Sequence, residues 1–406
     1  MKLRVLHLPK WYPNRYDDQD GDFVARHIAA IAQASPDEEP LQTQNAVVVA
    51  VVARGPLPSL IDADVSLSGA VPTWRYYYRA RLTGWAWLDR VLKLLLWLVC
   101  ITRGMWAVRQ YWGGQKQDIV HAHVLLRTGA VALWLKWWQR TPYLITEHST
   151  IFLPTNAWRL GWLRGRVAAL LVRQAAAFTP VSEDLRRALA RLGGHNTRTV
   201  VIPNVVDTDL FHLPDKLETR QGLLNVAAFN EQAKNLSGIL RTIARLRTEH
   251  PTLGIHLRIA GYGAAENQMH QLATDLGLLA DGTVEFLGKL SSVEVAKEMQ
   301  RAQAFVLFSN YENLPCVLIE AQASGLPAVA TAVNGVPELL PSDGSKGLLV
   351  PAGNEEALAQ ALLTVLQGPA SSFDAAALRA AAVARFGYPA VGAAFRRVYQ
   401  QIANKE

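Results

Sequence analysis

The 406-residue chain predicts an α/β fold: two Rossmann-like, doubly wound parallel-sheet domains, one after the other, facing a central cleft. Three observations carry this. The length exceeds what one hydrophobic core usually supports. Half of the residues are hydrophobic and 18 % are charged, so core material is ample and disorder is not indicated. Short, nearly continuous apolar runs alternate with amphipathic helical stretches, the pattern of parallel strands covered on both faces, and they do so in two series.

In chain order the first series of strands reads "LRVLHLP", "AVVVAVVA", "DIVHAH", "PYLITEH", "AFTPVS" and "RTVVIPN". The second reads "LLNVAAF", "IHLRIAG", "VEFLG", "AFVLFS", "PAVAT" and "GLLVP". Between them "PNVVDTDLFHLPDK", Pro203 to Lys216, gathers Pro, Asn and Asp and marks the seam. The predicted domains are 1–203 and 204–385, with 386–406, "YPAVGAAFRRVYQQI" and its flanks, as a closing helix that packs back towards the first domain. Sheets of this kind bind ligands outside the carboxyl ends of their strands, so the chemistry is expected in loops that follow strands.

Charge divides unevenly. Residues 1–213 hold 25 Lys+Arg against 16 Asp+Glu, or +9, and the remainder 16 against 18, or −2. A negatively charged partner is therefore expected on the first half. Its basic residues sit among tryptophans and leucines, which favours a phospholipid surface over nucleic acid. With only Cys100 and Cys316, no disulfide framework or four-cysteine metal site can form, and a reducing cytoplasm fits. No secretory signal is expected, and "VLKLLLWLVCIT" at Val91 to Thr102, with 12 residues including Lys93, reads as too short to span a bilayer.

The run "YENLPCVLIEAQASG" places Glu312 in a strand-to-helix loop and Glu320 on the helix, with Pro315 as the expected first helical residue. Taken alone, such a pair also suits a helix-start carboxylate and a solvated face. Free amides at a helix start can hold a phosphate, and carboxylates can accept from paired hydroxyls, so together they describe a ligand with sugars on both sides of a phosphate.

The stretch "SNYENLPCVLIEAQASGLPAVATAVNGVPELL" resembles the signature of family 4 glycosyltransferases, retaining enzymes of the GT-B fold with a Glu-x7-Glu motif. The similarity continues in "WYPN…GDFVARHIAAI", "DIVHAH", "LITEHS", "VIPNVVDTDLF", "NEQAKN", "IAGYG" and "EFLG". The resemblance implies that Glu312 contacts the donor sugar and Glu320 the ribose hydroxyls. It puts Asn313 and Leu314 where backbone amides approach sugar or phosphate, Lys234 on the donor diphosphate and His148 near the sugar. Gly21 falls where backbone approaches the diphosphate, and Gly288 and Leu290 where main chain reads the base. One departure stands out: Phe229 occupies the place of the family's usual phosphate-binding arginine, which leaves the diphosphate to Lys234, the helix start and Gly21, with Arg258 as a candidate replacement. Asn334-Gly335 replaces the usual paired glycines, and asparagine tolerates left-handed backbone.

Weaker signals read as structural. "DAD", Asp62 to Asp64, and "DTD", Asp207 to Asp209, are expected as solvated turns, and "GYGAAE" as a tight strand-to-helix turn. His121 and His123 alternate along a strand and are expected on opposite sides, unable to share a metal. Cys316 is expected as a packed thiol. The segment Arg75 to Trp112 combines seven Lys/Arg with five tryptophans and is expected to lie in a membrane interface.

The expectation is thus a retaining, metal-independent hexosyltransferase with no cofactor beyond its nucleotide diphosphate sugar, UDP in preference to GDP. The acceptor would be a glycan or lipid-linked chain in cell-surface polysaccharide or lipopolysaccharide assembly, at the cytoplasmic face of the membrane. The alternatives are a catalytically silent nucleotide- or glycan-binding partner at the membrane and a nucleotide-sugar epimerase of related shape.

Overall fold

The computed structural model describes residues 2–33, 41–216, 220–368 and 372–404, in two compact units. The first unit comprises Met1–Val181, Arg186–Val205 and Tyr388–Glu406; the second comprises Ser182–Leu185 and Val206–Gly387.

The strands of the first unit are β1 (Lys2–Pro9), β2 (Gln42–Val52), β3 (Ile61–Ser66), β4 (Thr73–Tyr78), β5 (Ile119–His123), β6 (Tyr143–Glu147) and β7 (Ala177–Pro180). They form one sheet in the order β3-β4-β2-β1-β5-β6-β7, parallel except for β3, which runs antiparallel to β4 at the edge. The helices are α1 (Asp22–Ala32), α2 (Ala86–Tyr111), α3 (Leu125–Gln139), α4 (Trp162–Gln174) and α5 (Glu183–Arg191), whose first residues count with the second unit.

Alternation along the strands assigns helices to faces. Val47 and Val49 pack on Val24 and Ile28 of α1. Leu3, Val5, Ile119 and Leu144 share a core with the closing helix of the chain, Tyr388–Ala403, in which Phe395 and Tyr399 are fully buried. On the opposite face Val48 meets Gly104 of α2, where an added Cβ would lie 2.3 Å from its methyl carbon, and Ile145 meets Gly129 of α3. Gly129 also faces Leu171 of α4, so α2, α3 and α4 form one layer.

The second unit has β8 (Leu223–Val226), α6 (Glu231–Lys234), α7 (Leu236–Glu249), β9 (Leu257–Ala260), α8 (Glu266–Asp275), β10 (Val284–Gly288), α9 (Ser292–Arg301), β11 (Ala304–Leu307), α10 (Cys316–Ala323), β12 (Ala328–Thr331), β13 (Gly347–Val350), α11 (Glu355–Gln367) and α12 (Ala375–Phe386). The closing helix, Tyr388–Ala403, is α13. Its all-parallel sheet runs β10-β9-β8-β11-β12-β13. Helix starts are marked as sequence chemistry requires: Ser291 and Glu294 close a capping box on α9, and Asn235, Asn354 and Asp374 cap α7, α11 and α12.

Several expectations are corrected. "DAD" is not a turn but the middle of β3, with Asp62 opposite Tyr77 and Asp64 opposite Arg75; an exposed edge strand needs no apolar run, so the pattern hid it. "RTVVIPN" forms only a bridge from Thr199 to Phe178 rather than a strand. Pro315 is the cap of α10 and Cys316 its first residue. α2 has 26 residues, about 39 Å at 1.5 Å per residue, and an 18-residue window of mean hydropathy 1.7, enough by length and composition to cross a membrane. It is the crossover from β4 to β5, and Trp97, Cys100, Ile101 and Val108 bury its inner side. Arg75 to Tyr78 belong to β4, and Trp97 and Trp112 are buried, so only part of the Arg75–Trp112 segment faces outward.

His121 and His123 do not face opposite sides. Residues two apart on a strand share a face, and the two rings stack with centroids 4.0 Å apart.

Candidate functional site

A parallel sheet offers a crevice where its strand order reverses, because the connections on either side leave in opposite directions. In the second unit that point lies between β8 and β11, and the loops that follow these two strands carry Lys234 and Glu312. β8 leads through Ala227–Asn230 into the single-turn α6, which ends in Lys234; Asn235, at φ 46°, then turns the chain into α7. β11 leads through Ser309–Leu314 to the start of α10.

The two side chains meet. Lys234 Nζ donates to Glu312 Oε1 at 2.5 Å, and Ser309 Oγ donates to the same oxygen at 2.8 Å. The loop is pinned beneath them: Thr331 Oγ1 donates to the Ser309 carbonyl at 2.6 Å, and Asn310 N to the Ala233 carbonyl at 2.8 Å. Glu312 N donates to Asn334 Oδ1, and Asn334 takes the left-handed conformation at φ 45°. Next to it Gly335 is required by contact: a Cβ there would sit 2.1 Å from the Asn313 carbonyl oxygen. Asn313 Oδ1 accepts from Ser182 Oγ at 2.7 Å, and Leu314 is buried.

Glu320 lies in a helix buried all round, from Leu318 to Ala323, and is only 6 % exposed. A carboxylate in such a helix is costly without hydrogen-bonding partners, which sets it apart from the solvated glutamates of ordinary amphipathic faces. Gly288, with φ 68°, ends β10 at the far edge of the sheet, and Leu290 follows it; β9, the strand beside β10, does not lead to Glu312.

Phe229 is 2 % exposed and part of the core, its ring edge-on to Phe286 at 6.1 Å. The glycines of "GYG" accommodate it: a Cβ on Gly263 would lie 2.8 Å from the Phe229 carbonyl oxygen, and one on Gly261 1.9 Å from that of Ala227. The turn expected from "GYGAAE" is therefore present, built against this loop. Arg258 does not supply a replacement cation, because its guanidinium sits 2.7 Å from Glu298 of α9.

The first unit holds His148 and Gly21. Gly21 caps α1 at φ 68°, and any side chain there would meet the Trp11 backbone at 2.4 Å. Two residues on, the Phe23 ring lies 4.8 Å from that of His148, and the His27 ring, one turn further along α1, lies 5.1 Å from it. Burial holds the His148 imidazole well below the usual histidine range, with the charge of His27 adding to this and a hydrogen bond with Asn204 opposing it. The ring is neutral at neutral pH.

Sequence reasoning passed over Glu147. It is fully buried at the end of β6 and accepts from the backbone N–H of Leu125 at 2.7 Å, His148 at 2.9 Å and Ser149 at 2.6 Å. It thus fixes the start of α3 and the His148 loop together. Burial pushes its pKa up to about 7, against the lowering effect of those three amides and of Lys10. The signal was an acid closing an otherwise apolar strand.

His7, His121 and His123 form a buried cluster with one ring nitrogen of each within 4.8 Å of the others. His7 Nδ1 meets His123 Nε2 at 3.2 Å and His7 Nε2 meets Asn45 Oδ1 at 3.0 Å. His121 bridges Tyr399 Oη at 2.7 Å and Thr146 Oγ1 at 2.6 Å. Five of the six ring nitrogens are engaged within the protein, which is a packed polar core.

Comparison with known proteins agrees with this architecture. Residues 220–368 match the family described as "Glycosyl transferases group 1", and residues 25–205 the "Glycosyl transferase 4-like domain". A glycogen synthase of Mycobacterium tuberculosis is 29 % identical over 292 residues, covering 70 % of this chain and 69 % of that protein. Among solved structures, a sucrose-phosphate synthase of Thermosynechococcus elongatus superposes with a TM-score of 0.77 at 20 % identity, covering 99 % of this chain and 100 % of the other. Anabaena Alr3699/HepE in complex with UDP gives 0.71 at 16 % identity, covering 98 % and 100 %. With two matched family domains, two parallel-sheet units and this order of motifs, the chain belongs to the family 4 type of glycosyltransferase and has the GT-B fold.

Proposed function

We propose that the protein transfers a sugar, with retention of configuration and without a metal, from a UDP-sugar to a lipid-linked glycan acceptor at the cytoplasmic face of a membrane, in cell-surface polysaccharide or lipopolysaccharide assembly. The Lys234–Glu312 pair at the β8/β11 reversal carries this reading, because it sets a cation and a carboxylate where the donor's diphosphate and sugar are expected. HepE, of the same fold, is described in complex with UDP, which supports the choice of nucleotide.

The transition state develops negative charge on the departing diphosphate and positive charge on the anomeric carbon. Lys234 and the amides at the start of α10 offer fixed positive potential for the former, a kind of contribution worth about 3 kcal/mol per donor group. Glu312 holds sugar hydroxyls and Glu320 the ribose, Asn313 and Leu314 present backbone amides, and Gly288 and Leu290 the main chain for the base. In the first unit the chain at Gly21 approaches the diphosphate, and His148, being neutral, positions the sugar as a hydrogen-bonding group. The leaving phosphate assists deprotonation of the acceptor on the same face.

Membrane contact is supported by the layer of α2, α3 and α4. Trp85, Trp106, Trp137, Trp138, Trp158 and Trp162 are each at least 61 % exposed. From Trp85 to Gln174 twelve Lys+Arg stand against three acids. Exposed tryptophans in a stretch rich in arginine and lysine suit a headgroup layer of anionic lipid.

Phe229 favours a second reading, a silent nucleotide-binding partner, since its ring contributes core packing and no charge. Calorimetric titration with UDP, GDP and ADP, repeated on Glu320→Gln, separates the two. Saturable UDP binding weakened by the substitution, followed by sugar transfer from a UDP-sugar, supports the enzyme. Absence of binding to all three puts the silent partner ahead.

A further inference from the structure

Between α2 and α3 runs an apolar groove of about 560 Å³, within the ~300–1,000 Å³ of small-molecule sites. Leu94, Leu98 and Ile101 line it from α2, and Leu126, Val131 and Trp134 from α3. Both helices are crossovers of parallel strands, so both begin at the carboxyl edge of the sheet, and the lining residues of α3 come from its first ten positions. The groove therefore starts at the edge where such sheets bind ligands and runs away from it along the helices.

At that end the apolar walls give way to cations. Arg127, itself part of the lining, is exposed, as are Lys10, which follows β1, and Arg164 in the first turn of α4. Arg127 and Arg164 are both near enough to Lys10 for their charges to act on it. Lys10 follows β1, Arg127 opens α3 and Arg164 opens α4, so all three stand at the carboxyl edge of the same sheet. Three cations at the mouth of an otherwise apolar groove are complementary to a polyanionic head on a hydrocarbon chain. One groove admits one chain, which argues for a single-chain lipid over a two-tailed one.

We propose that this groove binds the hydrocarbon chain of a long-chain prenyl-type alcohol phosphate or diphosphate, with its phosphate against Lys10, Arg127 and Arg164. The inference rests on the reading that the acceptor is lipid-linked, and it names the chemistry of that lipid and the place that holds it.

The test is calorimetric titration of the full chain with farnesyl diphosphate, below its aggregation concentration and without vesicles, against farnesol and inorganic pyrophosphate. Saturable binding at one site is expected, at least tenfold tighter than either fragment. Ala130→Trp, which places a large ring in the groove from an exposed position, and independently Thr102→Trp should each weaken it tenfold or more; Arg127→Ala should weaken the diphosphate and leave farnesol unchanged. The urea midpoint of the same variants, read by tryptophan fluorescence, reports folding of the first unit and should not change. Equal binding of farnesyl diphosphate by wild type and both tryptophan variants would overturn the proposal, as would binding of pyrophosphate alone with equal affinity. So would loss of anionic-vesicle binding in the two tryptophan variants with their farnesyl diphosphate binding retained, since the groove would then be bilayer surface only. If the lipid binds as expected and UDP does not bind at all, the groove stands and the proposed donor reaction falls.

Discussion

Acidification should destabilise the first unit, and the loss can be worked from its buried histidines. Burial lowers His7 and His27 to about 4, with the Asn45 hydrogen bond opposing at His7 and the Pro203 carbonyl opposing at His27. In the unfolded chain both return to about 6.5. Above pH 6.5 neither state is protonated and nothing is gained or lost. As pH falls below 6.5 the unfolded chain takes up protons that the native state refuses, and stability is lost until about pH 4. Between pH 7 and 5 this costs about 2 kcal/mol per histidine, or about 4 for the two. Glu147 acts in the opposite sense: with its pKa raised to about 7 from 4.5, the native state takes up its proton first, and stability rises by about 2 kcal/mol over the same interval. The net loss from these three groups is about 2 kcal/mol. His121, His123 and His148, all lowered well below 6.5 chiefly by burial, add to it.

Tryptophan fluorescence isolates the effect, because all 12 tryptophans lie between Trp11 and Trp162, inside the first unit. With a urea slope of about 3 kcal/mol per M, the midpoint should fall by at least about 0.6 M between pH 7 and pH 5. His7→Gln should remove about 2 kcal/mol of that dependence. A midpoint equal or higher at pH 5 would show that these histidines are not held neutral, and the description of the buried cluster would be wrong.

Lys234→Ala is expected to lower sugar transfer by at least a hundredfold with nucleotide binding weakened; wild-type turnover in a donor-hydrolysis or transfer assay would remove its phosphate role. Glu312→Gln should impair transfer by a similar factor while free UDP still binds within about threefold of wild type, and equal loss of both would mean that its part is to hold the loop. Gly21→Ala forces a side chain into φ 68° and onto the Trp11 backbone, so a cost of about 2 kcal/mol or more is expected, read as a lower urea midpoint by fluorescence. Anionic vesicles should co-sediment the protein and neutral ones should not, and Trp137→Ala with Trp138→Ala should reduce the bound fraction; equal partition to both vesicle types would exclude the charged, tryptophan-rich layer as the contact.

The alternation of apolar runs and helical stretches made the two parallel sheets legible, because strands buried on both faces leave an almost unbroken hydrophobic trace. The place of Glu312 was legible as well, since a loop that follows a strand announces itself by its Pro, Gly and Asn; Lys234 and Asn334 were singled out by the family resemblance alone. The edge strand β3 was not: three of its six residues are exposed and none is buried, and its aspartates gave the pattern of a turn. His121 and His123 were misplaced by an error of periodicity, and only their 4.0 Å stacking corrected it. Glu147 escaped because a single buried acid has no periodic signature; its role depends on the amides of its own loop together with that of Leu125, 22 positions earlier.

By itself the sequence determined most of the parallel strands, though not β3 or β4, together with which loops can carry chemistry and where charge accumulates, since each depends on neighbours a few residues away. Tertiary structure alone decided that Lys234, 78 positions before Glu312, meets it at 2.5 Å, and that Phe229 joins the core instead of the site. It also set α2 beside α3 with a groove between them. Those outcomes depend on the order in which strands assemble into a sheet, a long-range choice that no local pattern encodes.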